Sequence, residues 1–195
     1  MALFKAYDPK VEVNGETVLS VIDGLGSFQQ IALNILKESG IENPTAGQWY
    51  LQQSWLDCFK TISEKLGPAT LEKIGETIPR NAKWPPNVNS IETALGSIDM
   101  AYHMNHRNGE IGKYQFKKTG ETAAEVLCTN PYPDPFDHGI ISSAAKKFAK
   151  PGENVVVKIE EKVSTRTNGA GSTLFILSEY PAACCGDKEG DLVLG

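Results

Sequence analysis

Apolar positions recur mostly at helical spacing up to Met104 and mostly in alternation beyond Gly109. Near the start, Val11, Val13 and Val18 alternate around Asn14-Gly15, a two-residue turn pair that predicts a β-hairpin. Ser27 followed by Gln30 reads as a capping box for a helix with Phe28, Ile31, Ile35 and Leu36 on one stripe, closed by Gly40. Thr45 with Gln48 repeats that logic ahead of Leu51, Trp55, Phe59, Ile62 and Leu66, a long helix ended by Gly67-Pro68. Leu71, Ile74 and Ile78 carry a shorter helix that Pro79 stops. Trp84-Pro85-Pro86 is extended, because proline biases its predecessor away from helix. Trp84 is placed there either as a lid over a pocket or as a plug at the core edge. Ser90 then caps a helix whose apolar face is Ile91, Leu95, Ile98 and Tyr102.

The stretch 90–139 organises the chain. Its helix breaks at His106-Arg107-Asn108-Gly109, and two alternating segments, 111–117 and 122–128, flank a tight turn. Pro131, Pro133 and Pro135 predict an irregular passage, after which Asp137 is placed to cap a helix with Ile140, Ile141, Ala144, Ala145 and Phe148 inward. Val155, Val157 and Ile159 then alternate against charged residues, and Leu174 to Leu177 form a last apolar run across Asn168-Gly169-Ala170-Gly171. The sum is an α+β chain: an N-terminal hairpin and a helical block packed on a C-terminal antiparallel sheet with one intervening helix. One domain is expected over residues 1–180, with a tail over 181–195 that has little to bury.

Charge narrows the partners. A formal net charge of −5, with no Lys/Arg stripe, argues against nucleic-acid binding. No window reaches the ~18 apolar residues of a membrane span, and the first residues lack the apolar run of a signal peptide, so a cytoplasmic protein is expected. The cysteines at 58, 128, 184 and 185 show no C-x-x-C spacing. Cys58 and Cys128 read as small core hydrophobes, and the Cys184-Cys185 pair has no assignable role. There is no G-x-S-x-G elbow, and the glycine-rich turn at 168–171 joins two strands and does not open a helix, so it fails as a phosphate loop. The chain carries no catalytic signature.

Two chemistries stay open. His103 and His106 are three apart, and if their side of the helix faces a cavity they can ligate a metal or a haem iron. The simpler reading is a helix-end pair, favourable beside the C-terminal dipole. Helices packed on one side of a curved sheet also leave a cleft suited to a small apolar ligand. Trp49, Trp55, Phe59, Tyr102 and Phe116 are the candidate wall residues, although a dry core uses the same residue types.

Three passages carry a family resemblance: 102–112 (YHMNHRNGEIG), 132–139 (YPDPFDHG) and the turn at 169–171 (GAG). With the order of elements from about residue 27 to residue 180, they resemble a superfamily of small-ligand-binding domains. It includes the 4-vinyl reductase domain, the haem nitric-oxide/oxygen-binding domain and the Bet3-type trafficking subunits. The chain departs from the 4-vinyl reductase pattern, whose closing turn is flanked by cysteines, by having Arg166 and Ser172-Thr173 there. It departs from the Tyr-x-Ser-x-Arg motif of the haem-binding members, since Ser164 and Arg166 supply the last two positions and Lys162 stands where tyrosine belongs. The resemblance implies a ligand-binding or sensory domain, often dimeric, working by a ligand-dependent shift in helix packing. A haem-binding sensor and a non-catalytic interaction subunit are the alternatives it offers.

Overall fold

The computed structural model describes residues 3–181 of the chain. Six α-helices occur among them: α1 (Gly15–Leu25), α2 (Gln29–Glu38), α3 (Gln52–Leu66), α4 (Pro68–Asn81), α5 (Ile91–Met104) and α6 (Asp134–Phe148). The strands are β1 (Glu12–Asn14), β2 (Trp49–Leu51), β3 (His106–Arg107), β4 (Lys113–Lys118), β5 (Ala123–Thr129), β6 (Glu153–Ile159) and β7 (Thr173–Pro181). The class is α+β, as expected. Cys184 and Cys185, with the tail from residue 182 onward, lie outside the described residues.

The expected N-terminal hairpin does not form. Asn14 ends β1 and caps α1, its side-chain oxygen accepting from the Thr17 N–H at 3.0 Å. Asparagine serves both a tight turn and a helix N-cap, and here the cap wins. Gly15 is required beside it, since a Cβ there would stand 1.9 Å from the Thr45 carbonyl oxygen. β1 instead lies between β2 and β3, antiparallel to both, with Val13 opposite Tyr50 on one side and His106 on the other. β2 also displaces the second expected capping box: α3 starts at Gln52 without a side-chain cap.

Two prolines sit where helix was not expected. Pro79 lies inside α4, which runs on to Asn81. Pro135 lies in the first turn of α6, where a missing N–H leaves nothing unpaired. α5 follows the sequence closely: Ser90 accepts from the Thr93 N–H, Thr93 reaches back to the Ser90 N–H, and Ala94, Leu95, Ile98 and Tyr102 are buried.

The second sheet has the order β4-β5-β7-β6, all antiparallel, so two local hairpins are joined through β5 and β7. α5 packs against β4 and α6 against β6, while α4 lies across α6 in the most extensive contact between any two elements. Gly75 and Gly139 allow that approach: a Cβ at Gly75 would stand 2.1 Å from the Phe136 carbonyl oxygen, and one at Gly139 2.1 Å from that of Glu72. One apolar core runs from β1 and α1 through α3 and α4 to the sheet. Among the described residues no helix is long and apolar enough to cross a membrane.

Candidate functional site

A cavity of about 110 Å³ lies where α1, α4, α5 and α6 converge over Tyr114 of β4. α5 contributes Ile98, Ala101 and Tyr102, α4 Ile78 and Pro79, and α6 Phe136 and Ile140. Trp84 stands at its edge, half-buried, with its indole N–H donating to the Pro79 carbonyl at 2.8 Å. Carbonyls in the last turn of a helix have no intrahelical partner; Lys147 Nζ also reaches this one, at 3.1 Å. The Trp84 ring meets Phe148 edge-on at 5.0 Å, which holds it at the margin of the cavity.

The polar end of the cavity is His106 with Tyr132. His106 follows the C-terminus of α5 and pairs with Val13, which turns its ring inward. Its Nδ1 lies 2.8 Å from the Tyr102 carbonyl oxygen and its Nε2 2.7 Å from the Tyr132 hydroxyl. A carbonyl only accepts, so Nδ1 carries the proton and Nε2 accepts from Tyr132. Burial lowers the His106 pKa to about 4, against a pull upward from the Tyr102 carbonyl. The neutral ring therefore prevails at neutral pH.

This lowered value ties stability to pH. A base whose folded pKa lies below its unfolded one stabilises the fold fully above the unfolded value of 6.5 and loses that contribution as pH falls towards about 4. The loss amounts to about 3 kcal/mol over that window. Urea denaturation at pH 7 and at pH 4.5 should show it, and His106→Gln should flatten the dependence. An unchanged slope in that variant would place the titration elsewhere.

Tyr132 also accepts from Gln52 Nε2 at 3.3 Å. Gln52 and Trp55 are completely buried, yet Gln52 Oε1 and Trp55 Nε1 have no hydrogen-bond partner among the described residues. Leaving a buried donor or acceptor unmatched costs about 1–3 kcal/mol, so this pair marks a place where polar partners are wanted.

Behind Tyr114 is a closed ionic network. Arg166 Nη2 lies 2.7 Å from both Asp134 and Asp137, its Nη1 bonds the carbonyl and side-chain oxygens of Asn130, and all four residues are buried. Asp137 also accepts from the Tyr114 hydroxyl and from Asn130 Nδ2; Asp134 accepts from the Thr167 and Thr173 hydroxyls. Burial pushes the Asp134 carboxyl up, but Arg166 and the two hydroxyls outweigh it and hold the group below its ordinary value. For Asp137, burial wins over Arg166 and the other donors, and the carboxyl is raised.

The residues singled out from sequence are distributed unevenly around this site. Tyr102 lines the cavity, its hydroxyl donating to the Ile111 carbonyl at 2.6 Å. Trp55 and Phe59 form a second row, with Phe59 5.8 Å from the Tyr132 ring and 4.6 Å from that of Phe136. Trp49 lies on β2 beneath the Arg107 guanidinium, 4.3 Å from the ring centroid. Phe116 borders a separate hollow beside Ile91, Val155 and Leu177. His103 and His106 do not share a face: His103 is exposed on α5, bonded to the Asp99 carbonyl at 2.9 Å, and His106 lies past the helix end with both nitrogens engaged. Among the described residues no group of three or more His, Cys, Asp or Glu is placed to hold a metal ion. Tyr132, Phe136, Ile98 and Ile140 also line the cavity, and no pattern in the sequence marks them as wall residues.

No family model matches the chain, and no curated protein matches it in sequence. Solved structures do match. A Cs H-NOX mutant superposes with a TM-score of 0.65 at 17% identity, covering 87% of this chain and 98% of its own. An oxygen-binding H-NOX domain related to soluble guanylate cyclases, in its oxygen complex, gives 0.63 at 17% over 87% and 96%. An H-NOX protein from S. oneidensis in the Fe(II)NO state gives 0.65 at 10% over 86% and 99%. The fold is the H-NOX fold. At these identities the likeness to H-NOX domains concerns architecture alone.

Proposed function

We propose that this protein is a small-molecule-binding domain of sensory type, which encloses a largely apolar ligand of one-ring size between α1, α4, α5 and α6. The observation that carries the reading is the cavity itself, with its predominantly apolar lining. A dry apolar cavity of ~150 Å³ takes benzene, so about 110 Å³ suits a comparably small guest after slight helix adjustment. Tyr102 is the direct wall residue of the set named from sequence, and Trp55 and Phe59 act by backing Tyr132 and Phe136. Because four helices meet at the ligand, occupancy favours one helix packing over another, and a partner or second subunit that distinguishes the two reads the signal.

A haem, the group named by H-NOX, does not fit these residues. Ligand pockets span ~300–1,000 Å³, well above about 110 Å³. Both nitrogens of the one buried imidazole are engaged. Among the described residues no Lys or Arg lines the cavity to meet propionates, and Arg166 is held by Asp134, Asp137 and Asn130.

Thermal unfolding with benzene as probe tests the reading. At about tenfold its Kd the ligand adds about 1.4 kcal/mol, which for a chain of this size raises the Tm by roughly 3–6 °C. Ile98→Phe, which fills the cavity from α5, should abolish the response without lowering the Tm of the free protein by a comparable amount. A protein indifferent to benzene that develops a Soret band on haem addition would replace this proposal with a haem-binding one.

A further inference from the structure

The Tyr132–His106 pair is a buried polar pair on the cavity wall. Tyr132 gives its proton to His106 Nε2 and accepts from Gln52 Nε2, which leaves its oxygen one lone pair. Directly behind stand Gln52 and Trp55, completely buried, with an amide oxygen and an indole N–H that have no partner among the described residues. Of the other polar groups on the wall, Tyr102 donates to the Ile111 carbonyl, Tyr114 to Asp137 and Asn105 to the Ala101 carbonyl, while Thr17 is half-buried on α1.

We infer that the ligand carries a single hydroxyl group, as a phenol or a short-chain alcohol does, and that the Tyr132–His106 pair holds that hydroxyl. This rests on the small-ligand reading above. A hydroxyl is donor and acceptor at once. It donates to the remaining lone pair of Tyr132, or it takes the place of Tyr132 on His106 Nε2. In the second arrangement the Tyr132 proton turns to the Gln52 amide, 3.3 Å away, whose oxygen faces it once the amide rotates.

The same chemistry excludes other classes. A carboxylate would be buried unpaired, because among the described residues no Lys or Arg lines the cavity and His106 stays neutral above about pH 4. An ammonium finds no lining carboxylate, since Asp137 lies behind Tyr114 and is already met by Tyr114, Asn130 and Arg166. An acceptor-only carbonyl compound would have to take the Tyr132 proton and leave His106 Nε2 bare.

Calorimetric titration of the full chain with benzene and with phenol, which differ by the one hydroxyl, tests the inference. Phenol should bind about tenfold more tightly, the value of one well-made hydrogen bond. In the double variant His106→Phe/Tyr132→Phe the ratio of phenol to benzene affinity should fall to about one, whatever the benzene affinity itself becomes. Equal affinities in the native protein overturn the hydroxyl inference and leave the cavity reading standing. A phenol preference that survives the double substitution overturns it as well. Failure of both probes to bind removes the small-ligand reading itself. Where the double variant shows no cooperative melt, the native ratio decides alone: near ten supports the inference and near one overturns it.

Discussion

Arg166→Met should destabilise the protein by about 3–5 kcal/mol, the usual cost of removing one partner from a buried ion pair. Asp134 and Asp137 are both buried, and Arg166 is the cation that meets them. Against a typical domain stability of ~5–15 kcal/mol, the loss moves the urea midpoint a long way. The deficit has a pH signature. Asp134, held below its ordinary value, adds stability that is lost as pH falls through its folded pKa; Asp137, held above, has the opposite sign. Without Arg166 both carboxyls are pushed up by burial, so protonating them relieves the variant. The gap between native and Arg166→Met should therefore narrow from pH 7 to pH 4. Replacing Asp134 and Asp137 by Asn in the same chain should recover part of the loss at pH 7. A cost below about 1 kcal/mol, in the range of a surface pair, would mean that the network is hydrated.

Gly75→Ala and Gly139→Ala should each cost at least about 1–3 kcal/mol, as overpacking does. The colliding atoms at 2.1 Å are backbone carbonyl oxygens, which cannot swing aside like a flexible side chain, so the helices themselves must part. Both substitutions force open the same α4–α6 contact, and the double variant should therefore cost less than the sum of the two singles. Thermal or urea melts of the four proteins in the cycle measure this. Additive losses would mean that the two sites relax independently. Since Ile78, Pro79, Phe136 and Ile140 lie on these two helices and line the cavity, parting them should also change the benzene response.

What the sequence revealed follows from how locally each feature is determined. The Ser90–Thr93 cap and the β4–β5 hairpin depend on residues a few positions apart, and both were readable. The partners of β1, β2 and β3, lie far along the chain, and nothing near Asn14-Gly15 announces them. In the site, Tyr102 was readable from the apolar face of α5. No periodicity says that Tyr132 and Phe136 stand between Trp55 and Phe59 and the cavity. His106 was noticed for its chemistry, but its role depends on Tyr132, 26 residues on. Asp137, expected as a helix cap, lies inside α6, and the loop before β7 delivers Arg166 to it and to Asp134.

The placement of β1 at the centre of the first sheet has a consequence for how the chain acquires its shape. Its second neighbour is His106–Arg107, so the sheet cannot be completed until residue 107 of 195 has left the ribosome. The β6–β7 hairpin, by contrast, closes over a short stretch. Pairing across so long a segment must overcome a larger loop-closure entropy before any contact rewards it, which slows folding. Strand β1 is thus made well before the partner that completes its sheet, and until β3 arrives one of its edges is open to other chains.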